Sequence, residues 1–468
     1  MPADPQAAPY RPDPQIGTIA AWLGDAVEPA PFPKHILRFR NDRWAAAIGL
    51  DDLSNVRWAD HFGKFAPLAD NMPQPLALKY HGHQFRVYNP QIGDGRGFLF
   101  AQMRDDAGRL LDLGTKGSGL TPYSRTADGR LTLKGAVREI LATEMLEALG
   151  VNTSKTFSVI ETGEELVRGD EPSPTRSAVM VRLSHSHIRI GSFQRLAAMQ
   201  ENGHLAELVG YCLAQFPGPP PPGDAPGRDE PAVRLMHQVV ERLADLAASY
   251  MVAGFVHGVL NSDNMNITGE SFDYGPWRWL PQWNPAFTAA YFDETGLYAF
   301  GRQPEAIHWN CAQLASALLR IAAEEPLRAA LERFVPLYRD AMVRRFCWRL
   351  GVSQADTDRD IALITAAEQE MKARETGPDE FFFAHRGGRN GDGALAEALE
   401  GRESTASDHA YWSDPQPQSM LIDEVEELWS HIDRHDDWRP LQEKIAAVRR
   451  MGEAHGPAPA PAGHIGGW

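Results

Sequence analysis

The loop between positions 261 and 275 carries the residues best suited to chemistry. It contains Asn261-Ser262-Asp263-Asn264 and, ten residues after Asp263, the triplet Asp273-Tyr274-Gly275. Carboxylate and amide oxygens are the ligands that Mg²⁺ prefers, and phosphates commonly complete its octahedron. Asn and Asp are also frequent in ordinary turns. From these residues alone, a metal site and a turn without metal both stay open.

A glycine-rich stretch, Gly93-Asp94-Gly95-Arg96-Gly97, is suited to holding a small anion. Glycines let a backbone approach a ligand closely, and successive N–H groups can cradle phosphate. The segment from Arg96 to Arg138 has eight Lys and Arg against four Asp, in a chain whose formal net charge is −16. No Gly-Lys-Ser/Thr follows, which excludes a Walker loop, and a strand follows where a Rossmann fingerprint needs a helix. A tight turn between strands is the alternative.

Lys116, at the end of a strand-like run, and Glu139, in the following helical segment, match the pair that holds nucleotide phosphates in kinases. The Asp273-Tyr274-Gly275 triplet likewise resembles the kinase Asp-Phe-Gly element. Two solvated charges remain the alternative for the pair. The sequence has neither a His-Arg-Asp with an Asn five residues later nor an Ala-Pro-Glu after Asp273. An ordinary protein kinase is therefore a poor fit.

Arg182 and Arg189 lie seven residues apart on either side of SHSHI. Guanidinium forks suit phosphate oxygens, so both could serve one ligand, although ordinary surface arginines are the alternative. The His-x-His pairs at 81–83 and 185–187 have the spacing of metal ligands. Neither has a cysteine or a third clustered ligand nearby, which argues against zinc.

The composition describes a globular protein with an acidic surface. Hydrophobic residues make up 43% of the chain, and no apolar run approaches the ~20 residues that cross a bilayer. The net charge argues against a nucleic-acid partner, because phosphate backbones need broad basic surfaces. Cys212, Cys311 and Cys347 are widely spaced in apolar segments. They are predicted to be buried free thiols, and a reducing cytoplasm is expected.

The order of predicted elements is a strand-rich region with one prominent helix, followed by a helical region. The segments predicted are a hairpin over 97–116, a helix over 134–149, strands over 155–161, 165–168 and 177–183, helices from 192 and over 205–216 and 235–251, a Pro/Gly-rich linker over 217–231, and helical stretches over 305–371 and 421–451. Residues 1–15 are predicted to form a disordered or loosely docked arm. Residues 452–468 are too rich in Gly and Pro for a packed segment to be expected.

Six strings occur in an order and with a content that closely resemble the selenoprotein O family, also called the YdiU family. They are YHGHQFRVYNPQIGDGRGFLFAQ, TKGSGLTPYSR, DGRLTLKGAVREILATEML, SHSHIRIGSFQ, HGVLNSDNMNITGESFDYGP and YAFGRQP. The resemblance extends from about Tyr80 to Pro304, roughly half of the chain. It is highly specific because long, unusual strings agree.

This resemblance implies an α+β, protein-kinase-like fold with two lobes, a strand-rich N-lobe and a helical C-lobe, and an additional helical C-terminal region. The expected divisions are an N-terminal extension over 1–75, the N-lobe over 76–190, the C-lobe over 191–375, and a helical region with a flexible tail over 376–468. In the family, ATP binds in a flipped orientation, AMP passes to Ser, Thr or Tyr hydroxyls of proteins, and pyrophosphate leaves. UMP transfer is also attributed to bacterial members.

The resemblance further implies ATP and Mg²⁺ as cofactors, with Mn²⁺ as the alternative ion. The implied partners are protein substrates, including the chain itself, with no nucleic acid and no membrane. The residues implied to contact or organise the nucleotide are Gly93, Gly95, Arg96, Lys116, Asp128, Gly129, Glu139, Arg182, Arg189 and Asp273. Among them, Lys116 would bind phosphate and Glu139 would hold the lysine by an ion pair. Asp263 is the implied general base, and Asn264 and Asp273 are the implied metal ligands.

The sequence departs from the family's pattern in three places. No cysteine follows Cys347, whereas family members often carry a C-terminal Cys or selenocysteine, so redox control through such a motif is not expected. His81 and Arg86 stand where small residues are more usual. Beyond about Glu375 the match is weak, which leaves substrate recognition by that region open.

Two other functions are compatible with a nucleotide-binding site of this kind. One is a catalytically silent nucleotide-binding pseudokinase scaffold, which the presence of every proposed catalytic residue disfavours. The other is a phosphotransferase, which the missing His-Arg-Asp motif disfavours.

Overall fold

A computed structural model describes residues 8–169 and 171–459 of the chain. The strands are β1 (Gly24–Ala26), β2 (Ile36–Arg40), β3 (Leu76–Leu78), β4 (Gly82–Gln84), β5 (Val87–Asn89), β6 (Leu99–Arg104), β7 (Leu110–Lys116), β8 (Leu131–Thr132), β9 (Lys155–Leu166), β10 (Thr175–Ser184), β11 (Phe255–Val256) and β12 (Arg278–Trp279). The helices are α1 (Ala20–Leu23), α2 (Asp42–Ala47), α3 (Asn55–Phe62), α4 (Leu133–Ala148), α5 (Ile190–Ala198), α6 (Asn202–Gln215), α7 (Pro231–Ala253), α8 (Gln303–Leu318), α9 (Glu324–Glu332), α10 (Phe334–Leu350), α11 (Thr357–Ala373), α12 (Pro378–Ala384), α13 (Gly393–Leu399), α14 (Ile422–His435) and α15 (Arg439–His455).

The main sheet is antiparallel and belongs to the N-terminal half of the chain. Its strand order is β1-β3-β6-β7-β10-β9-β2, and β8 adds to β10. Successive side chains of a strand point to opposite faces. In β10, Ala178 and Met180 therefore join the core that contains α4, whereas Val179 and Val181 join a second core built by residues 27–68. Both faces of the sheet are covered, so its polar side chains are held in fixed positions.

Helix α4 connects the sheet to the helical region. The side chain of Thr132 caps its start by accepting a hydrogen bond from the Gly135 N–H at 3.1 Å. The helix packs on β9 and β10 on one side and on α15 on another. Because it is enclosed in this way, its carboxylates Glu139 and Glu144 are buried, and each is paired with a cation.

The helical region is organised around α7. Pro231 starts this helix, where a missing N–H costs nothing, and Gly254 ends it with φ +68. Helices α6, α8, α9 and α10 pack against it. The chain that leaves Gly254 passes through β11 into the loop that contains Asp263 and Asp273. The C-terminal end of α7 therefore leads directly into that loop.

The structure confirms the α+β class and the order of a strand-rich region followed by helices. The predicted hairpin is β6–β7, and the helices predicted over 134–149 and 235–251 are α4 and α7. The three cysteines are buried and free, as predicted. Within the described residues, no helix is long and apolar enough to cross a membrane. The division into four regions stays a prediction, and β1 and β2, which precede residue 76, belong to the main sheet.

Three local predictions were wrong. Residues 165–168 do not form a strand of their own, because β9 runs unbroken to Leu166 through Gly163, whose φ is +74. The described part of the N-terminal arm is docked, which was one of the two alternatives, but it is not loose, since Asp13 pairs with Arg104 at 2.6 Å and its N–H donates to the Gln102 carbonyl. The start of the predicted unpacked tail is the last turn of α15, where Ala454 is fully buried. The remainder of both predictions, residues 1–7 and 460–468, lies outside the described residues.

Candidate functional site

Asp273 lies at the centre of a buried charge cluster. Its Oδ1 accepts a hydrogen bond from Arg182 Nη2 at 2.7 Å, and its Oδ2 accepts one from Arg189 Nη1 at 2.5 Å. Arg182 comes from β10 and Arg189 from the residue just before α5. Asp273 has φ +60, a left-handed conformation that is uncommon for a residue other than glycine, although Asp adopts it more readily than most.

Arg189 joins this carboxylate to two other predicted elements. Its Nη1 also donates to the carbonyl oxygen of Asp263 at 2.9 Å, and its Nη2 lies 3.1 Å from Asp94 Oδ1 in the glycine-rich stretch. The guanidinium is held between two rings, 4.5 Å from the centre of Tyr80 and 4.7 Å from that of Phe272. One arginine thus ties the 93–97 stretch to the loop that carries both proposed catalytic aspartates.

Lys116 and Glu139 form the predicted ion pair. Lys116 Nζ, at the end of β7, contacts Glu139 Oε1 of α4, and both side chains are almost fully buried. The same Nζ lies 3.5 Å from the carbonyl oxygen of Tyr274, the residue after Asp273. Lys116 is therefore beside the Asp273 cluster, as a shared nucleotide site requires, and the pair has the strand-to-helix arrangement of kinases.

The cluster has an uneven balance of charge that shifts its pKa values. Burial alone would raise the pKa of Asp273, but Arg182, Arg189 and Lys116 outweigh it and hold that pKa well below the usual range. Burial lowers the pKa of Lys116, and Glu139 opposes this shift. The positive charge of Arg96 also acts on Lys116. Three cations, Arg182, Arg189 and Lys116, thus act on the Asp273 carboxylate. Two of them also pair with a second carboxylate, Arg189 with Asp94 and Lys116 with Glu139.

The glycine-rich stretch is shaped by close backbone contacts. The Arg96 carbonyl accepts from Gly117 N at 2.6 Å, so the stretch lies directly over the end of β7. A Cβ on Gly93 would lie 2.5 Å from the Tyr123 ring, and one on Gly97 would lie 2.1 Å from the Thr115 carbonyl oxygen. These glycines are therefore needed for packing whatever the stretch binds.

Gly97→Ala is expected to destabilise the protein even without any ligand. The new Cβ would collide with a backbone oxygen of β7, which cannot move without disturbing the β6–β7 pairing. The loss should be about 1–3 kcal/mol, the usual cost of overpacking. Thermal unfolding of the unliganded protein would measure it. Gly108→Ala is the control, because nothing lies within 4 Å of its Cβ position and the substitution strains only the left-handed backbone there. An equal loss of stability in both variants would refute the steric explanation.

Asp263 lies next to the cluster in a setting that suits a proton acceptor. Burial raises the pKa of its carboxyl to about 6, and Arg189 opposes this shift. Gln84 Nε2 donates to Oδ2 at 3.4 Å, whereas Oδ1 has no hydrogen-bond partner among the described residues. A Cβ on Gly82 would lie 2.9 Å from that Oδ1. The hydrogen bond to Oδ2 therefore orients the carboxylate, and Oδ1 keeps its lone pairs to accept a proton.

The two predicted metal ligands supply hard oxygen atoms. Asn264 Nδ2 donates to the Val259 carbonyl at 3.0 Å, which fixes the amide through its nitrogen and leaves Oδ1 as its ligand atom. The carboxylate oxygens of Asp273 each accept one arginine hydrogen bond and keep a second lone pair. Within residues 8–169 and 171–459, no group of three or more His, Cys, Asp or Glu has the geometry of a metal site. One carboxylate and one amide fit Mg²⁺ when phosphates supply further ligands.

Asp128 and Gly129 are engaged away from this cluster. The Asp128 carboxylate accepts hydrogen bonds from Arg168 Nη1 at 2.8 Å and from Arg168 Nη2 at 3.1 Å. This pair lies on the exposed side of the loop that follows β7. Gly129 has φ +70, and a Cβ there would lie 2.2 Å from the Gly119 carbonyl oxygen. Their contact with a nucleotide stays a prediction.

Sequence reasoning missed two residues of the site. The sequence predicts Asp94 only as part of the glycine-rich stretch, whereas in the structure it pairs with Arg189 and accepts a hydrogen bond from Leu78 N at 3.1 Å. The sequence predicts no role for Gln84, which contacts Asp263. The signal for Asp94 was a charged residue between glycines, but Gln84 lies 179 positions from its partner and has no local signature.

A separate cavity of about 530 Å³ lies at the C-terminal end of α4, against α15 and the 268–269 turn. Its walls include Glu147, Lys155 and Arg345 and none of the residues predicted for the site. The proposed chemistry therefore rests on the Asp273 cluster and not on this cavity.

Comparison with known proteins places the chain in a family. Among solved structures, the chain matches ROP2 from Toxoplasma gondii, which is described as a virulence factor with a protein-kinase fold and no enzymatic activity. The alignment covers 64% of this chain and 84% of ROP2, at 11% identity and a TM-score of 0.27. This similarity is too slight to carry an argument. A curated protein of Gloeobacter violaceus named protein nucleotidyltransferase YdiU is 40% identical over 466 residues, 94% of this chain and 95% of the relative. One of Synechocystis sp. with the same name is 46% identical over 347 residues, 74% of this chain and 72% of the relative. The family model described as protein adenylyltransferase SelO matches residues 12–412. The chain therefore belongs to the SelO family of protein adenylyltransferases.

Proposed function

We propose that this protein transfers AMP from ATP to a Ser, Thr or Tyr hydroxyl of a protein, with release of pyrophosphate. The observation that carries the proposal is the arrangement of Lys116, Arg182 and Arg189 around Asp273, with Asp263 beside them. Cations that converge on a metal-binding carboxylate suit a triphosphate, and a basic carboxylate next to them suits hydroxyl activation. UMP transfer from UTP would use the same groups.

In the proposed reaction, the acceptor oxygen attacks the α-phosphorus as its proton passes to Asp263. The new bond joins that oxygen to the α-phosphorus, and the bond from the α-phosphorus to the bridging oxygen of the β-phosphate breaks. The leaving pyrophosphate takes the electron pair and is stabilised by the cations. Little covalent work falls to the protein, so positioning and neutralisation of charge provide most of the rate.

The divalent ion would be held by Asn264 and Asp273, with Mg²⁺ as the first candidate and Mn²⁺ as the second. When bound, it would neutralise charge on the phosphates and orient them. Lys116, held by Glu139, would bind phosphate oxygens from the sheet side. Arg182 and Arg189 would bind them from β10 and α5, as their donors turn from Asp273 to the ligand. The 93–97 stretch would cover the phosphates.

Protein substrates are proposed as the acceptors, and self-modification is included. The location proposed from the three buried thiols is a reducing cytoplasm. A silent scaffold with the same nucleotide site would bind ATP without transfer. Incubation with α-³²P-ATP separates these outcomes, since label on protein supports transfer and binding without label supports the scaffold. Label from γ-³²P-ATP alone would point to a phosphotransferase.

Asp263→Asn is expected to lower kcat by about 10²–10⁴-fold, the usual contribution of a general base. The amide keeps the shape of the side chain but cannot take the hydroxyl proton. ATP affinity should change little, because Arg189 contacts the Asp263 backbone oxygen and not its carboxylate. Intact mass after incubation with ATP and Mg²⁺ would measure transfer, and titration with ATP would measure binding. Full transfer by the variant would remove Asp263 from the role of base.

A further inference from the structure

A hairpin lies directly over the loop of the proposed base. Strands β4 and β5 pair from Gly82 to Asn89 and are joined by Phe85 and Arg86. These two residues have φ +50 and +63, the values of a tight hairpin turn that strongly prefers Asn-Gly. A bulky aromatic and an arginine in the left-handed region are strained, and such strain persists only where surrounding contacts hold it.

Contacts with the base loop supply that restraint. Phe85 N donates to Asn261 Oδ1 at 3.0 Å, and His83 N donates to Ser262 Oγ at 2.7 Å. Gln84 Nε2 donates to the Asp263 carboxylate itself. Consecutive residues of β4 and its turn therefore contact consecutive residues of the base loop. The position of the hairpin and the position of the base are set together.

Exposed apolar side chains lie at and beside the turn of this hairpin. Val87, which pairs with Gln84 across the hairpin and so shares its face, is 70% exposed. Next to the turn, Tyr291 and Phe292 are 86% and 47% exposed. The Phe292 ring lies 5.9 Å from the Phe85 ring and 5.1 Å from the Tyr291 ring. Phe85, Val87, Tyr291 and Phe292 are called the acceptor patch below.

The edge of the acceptor patch is polar. Arg86 Nη2 pairs with Glu305 Oε1 at 2.8 Å, and its guanidinium lies 5.5 Å from the centre of the Trp309 ring. An aromatic centre with an arginine-bearing edge is typical of surfaces that bind other proteins. Because Arg86 already has a carboxylate partner, the acceptor patch offers an apolar contact more than an unpaired charge.

We propose that the acceptor patch binds an aromatic or large aliphatic side chain that flanks the acceptor hydroxyl in the protein substrate. This rests on the proposed function and adds the substrate class. Gln84 contacts the base while its neighbour Phe85 contacts Phe292. A chain that brings its hydroxyl to Asp263 past Gln84 would therefore pass Phe85 and the acceptor patch. Extended chain rises by ~3.3 Å per residue, so the contact falls within a few residues of the hydroxyl.

The test uses a library of synthetic peptides with one central Ser, Thr or Tyr and randomised flanking residues. Wild-type protein, α-³²P-ATP and Mg²⁺ should label peptides with a flanking Phe, Tyr, Trp or Leu about tenfold more than matched peptides with Ser there. Val87→Ser and Tyr291→Ser should each reduce that preference severalfold by raising KM for the peptide, with ATP affinity unchanged. Val56→Ser is the matched control, since Val56 on α3 is 73% exposed and outside the acceptor patch.

Each outcome decides the proposal. A preference that survives both patch variants, or a library without apolar preference, refutes the acceptor patch and leaves nucleotide transfer intact. Labelling of intact proteins with no peptide labelled also refutes it, because a short flanking segment would then not be what is recognised. No α-label on any peptide or protein would instead refute the proposed function itself. An equal loss in Val56→Ser would also refute the acceptor patch, because the peptide preference would then not depend on residues of the patch.

Discussion

Asp273→Ala is expected to reduce nucleotide transfer by at least ~1000-fold, since it removes the carboxylate that would hold the metal. It should also destabilise the unliganded protein by about 3–5 kcal/mol, the usual cost of breaking a buried ion pair from one side. Most of this loss of stability is expected to come from Arg182, which would be left buried without its carboxylate partner. Arg189 would keep Asp94 and the Asp263 carbonyl as partners, whereas Arg182 Nε and Nη1 already have no hydrogen-bond partner among the described residues.

The two effects of Asp273→Ala can be separated with a second variant. Arg182→Met/Asp273→Ala removes the unpaired cation together with the carboxylate, so it should recover much of the lost stability without recovering transfer. Thermal unfolding without ligand and intact mass after ATP and Mg²⁺ are the two measurements. A variant with Asp273→Ala that still transfers AMP would exclude this carboxylate as a metal ligand.

Metal-free ATP provides a further readout of the same site. In the wild-type protein, Asp273 occupies donors of both Arg182 and Arg189. Asp273→Ala frees these donors, and phosphate oxygens can take its place. ATP in the presence of EDTA is therefore expected to raise the unfolding temperature of the Ala variant more than that of the wild type. The opposite order would mean that the two arginines do not face the nucleotide.

The Lys116–Glu139 pair carries the second large prediction. Lys116→Met leaves Glu139 buried without its cation, and Glu139→Gln leaves Lys116 without its anion. Each single change should destabilise the protein by about 3–5 kcal/mol, and the double variant should lose clearly less than the sum of the two. Transfer should fall strongly in all three, because even the double variant lacks the phosphate-binding amine.

A double-mutant cycle tests the predicted coupling, with the free energy of unfolding of each variant measured by thermal or chemical denaturation. Labelling with α-³²P-ATP tests the predicted loss of transfer. Arg43→Met combined with Glu147→Gln is the control pair. Arg43 also binds a carboxylate of α4, since its Nη2 lies 2.7 Å from Glu147 Oε2. The Arg43 side chain, however, is half exposed and lies outside the site. Its coupling should be about 1 kcal/mol or less, as for other partly exposed pairs, and transfer should persist. Additive stability effects for Lys116 and Glu139 would show that the buried contact contributes nothing, and activity in Lys116→Met would exclude its phosphate role.

Local patterns in the sequence determined the elements that carry the site. The apolar period of 134–149 predicted α4, and the strand-like runs over 97–116 predicted the β6–β7 hairpin, because side-chain periodicity and turn chemistry act between near neighbours. The order of the motifs likewise identified Lys116, Glu139, Asp263 and Asp273 as one set. Predictions failed where long-range packing overrode local composition, as in the docked arm near Asp13 and the helical end of α15.

Only the tertiary structure decided which charged groups meet. Arg182 and Asp273 are 91 positions apart, and Gln84 and Asp263 are 179 apart. No periodicity links such pairs, since local spacing reports which face of an element is buried and not which partner lies across from it. The sequence by itself determined the family, the main helices and strands that carry the site, such as α4 and the β6–β7 hairpin, and the candidate residues. The fold decided that Arg189 would pair with the carboxylates of Asp94 and Asp273 and bind the backbone oxygen of Asp263, because buried charges and buried polar groups need partners in space.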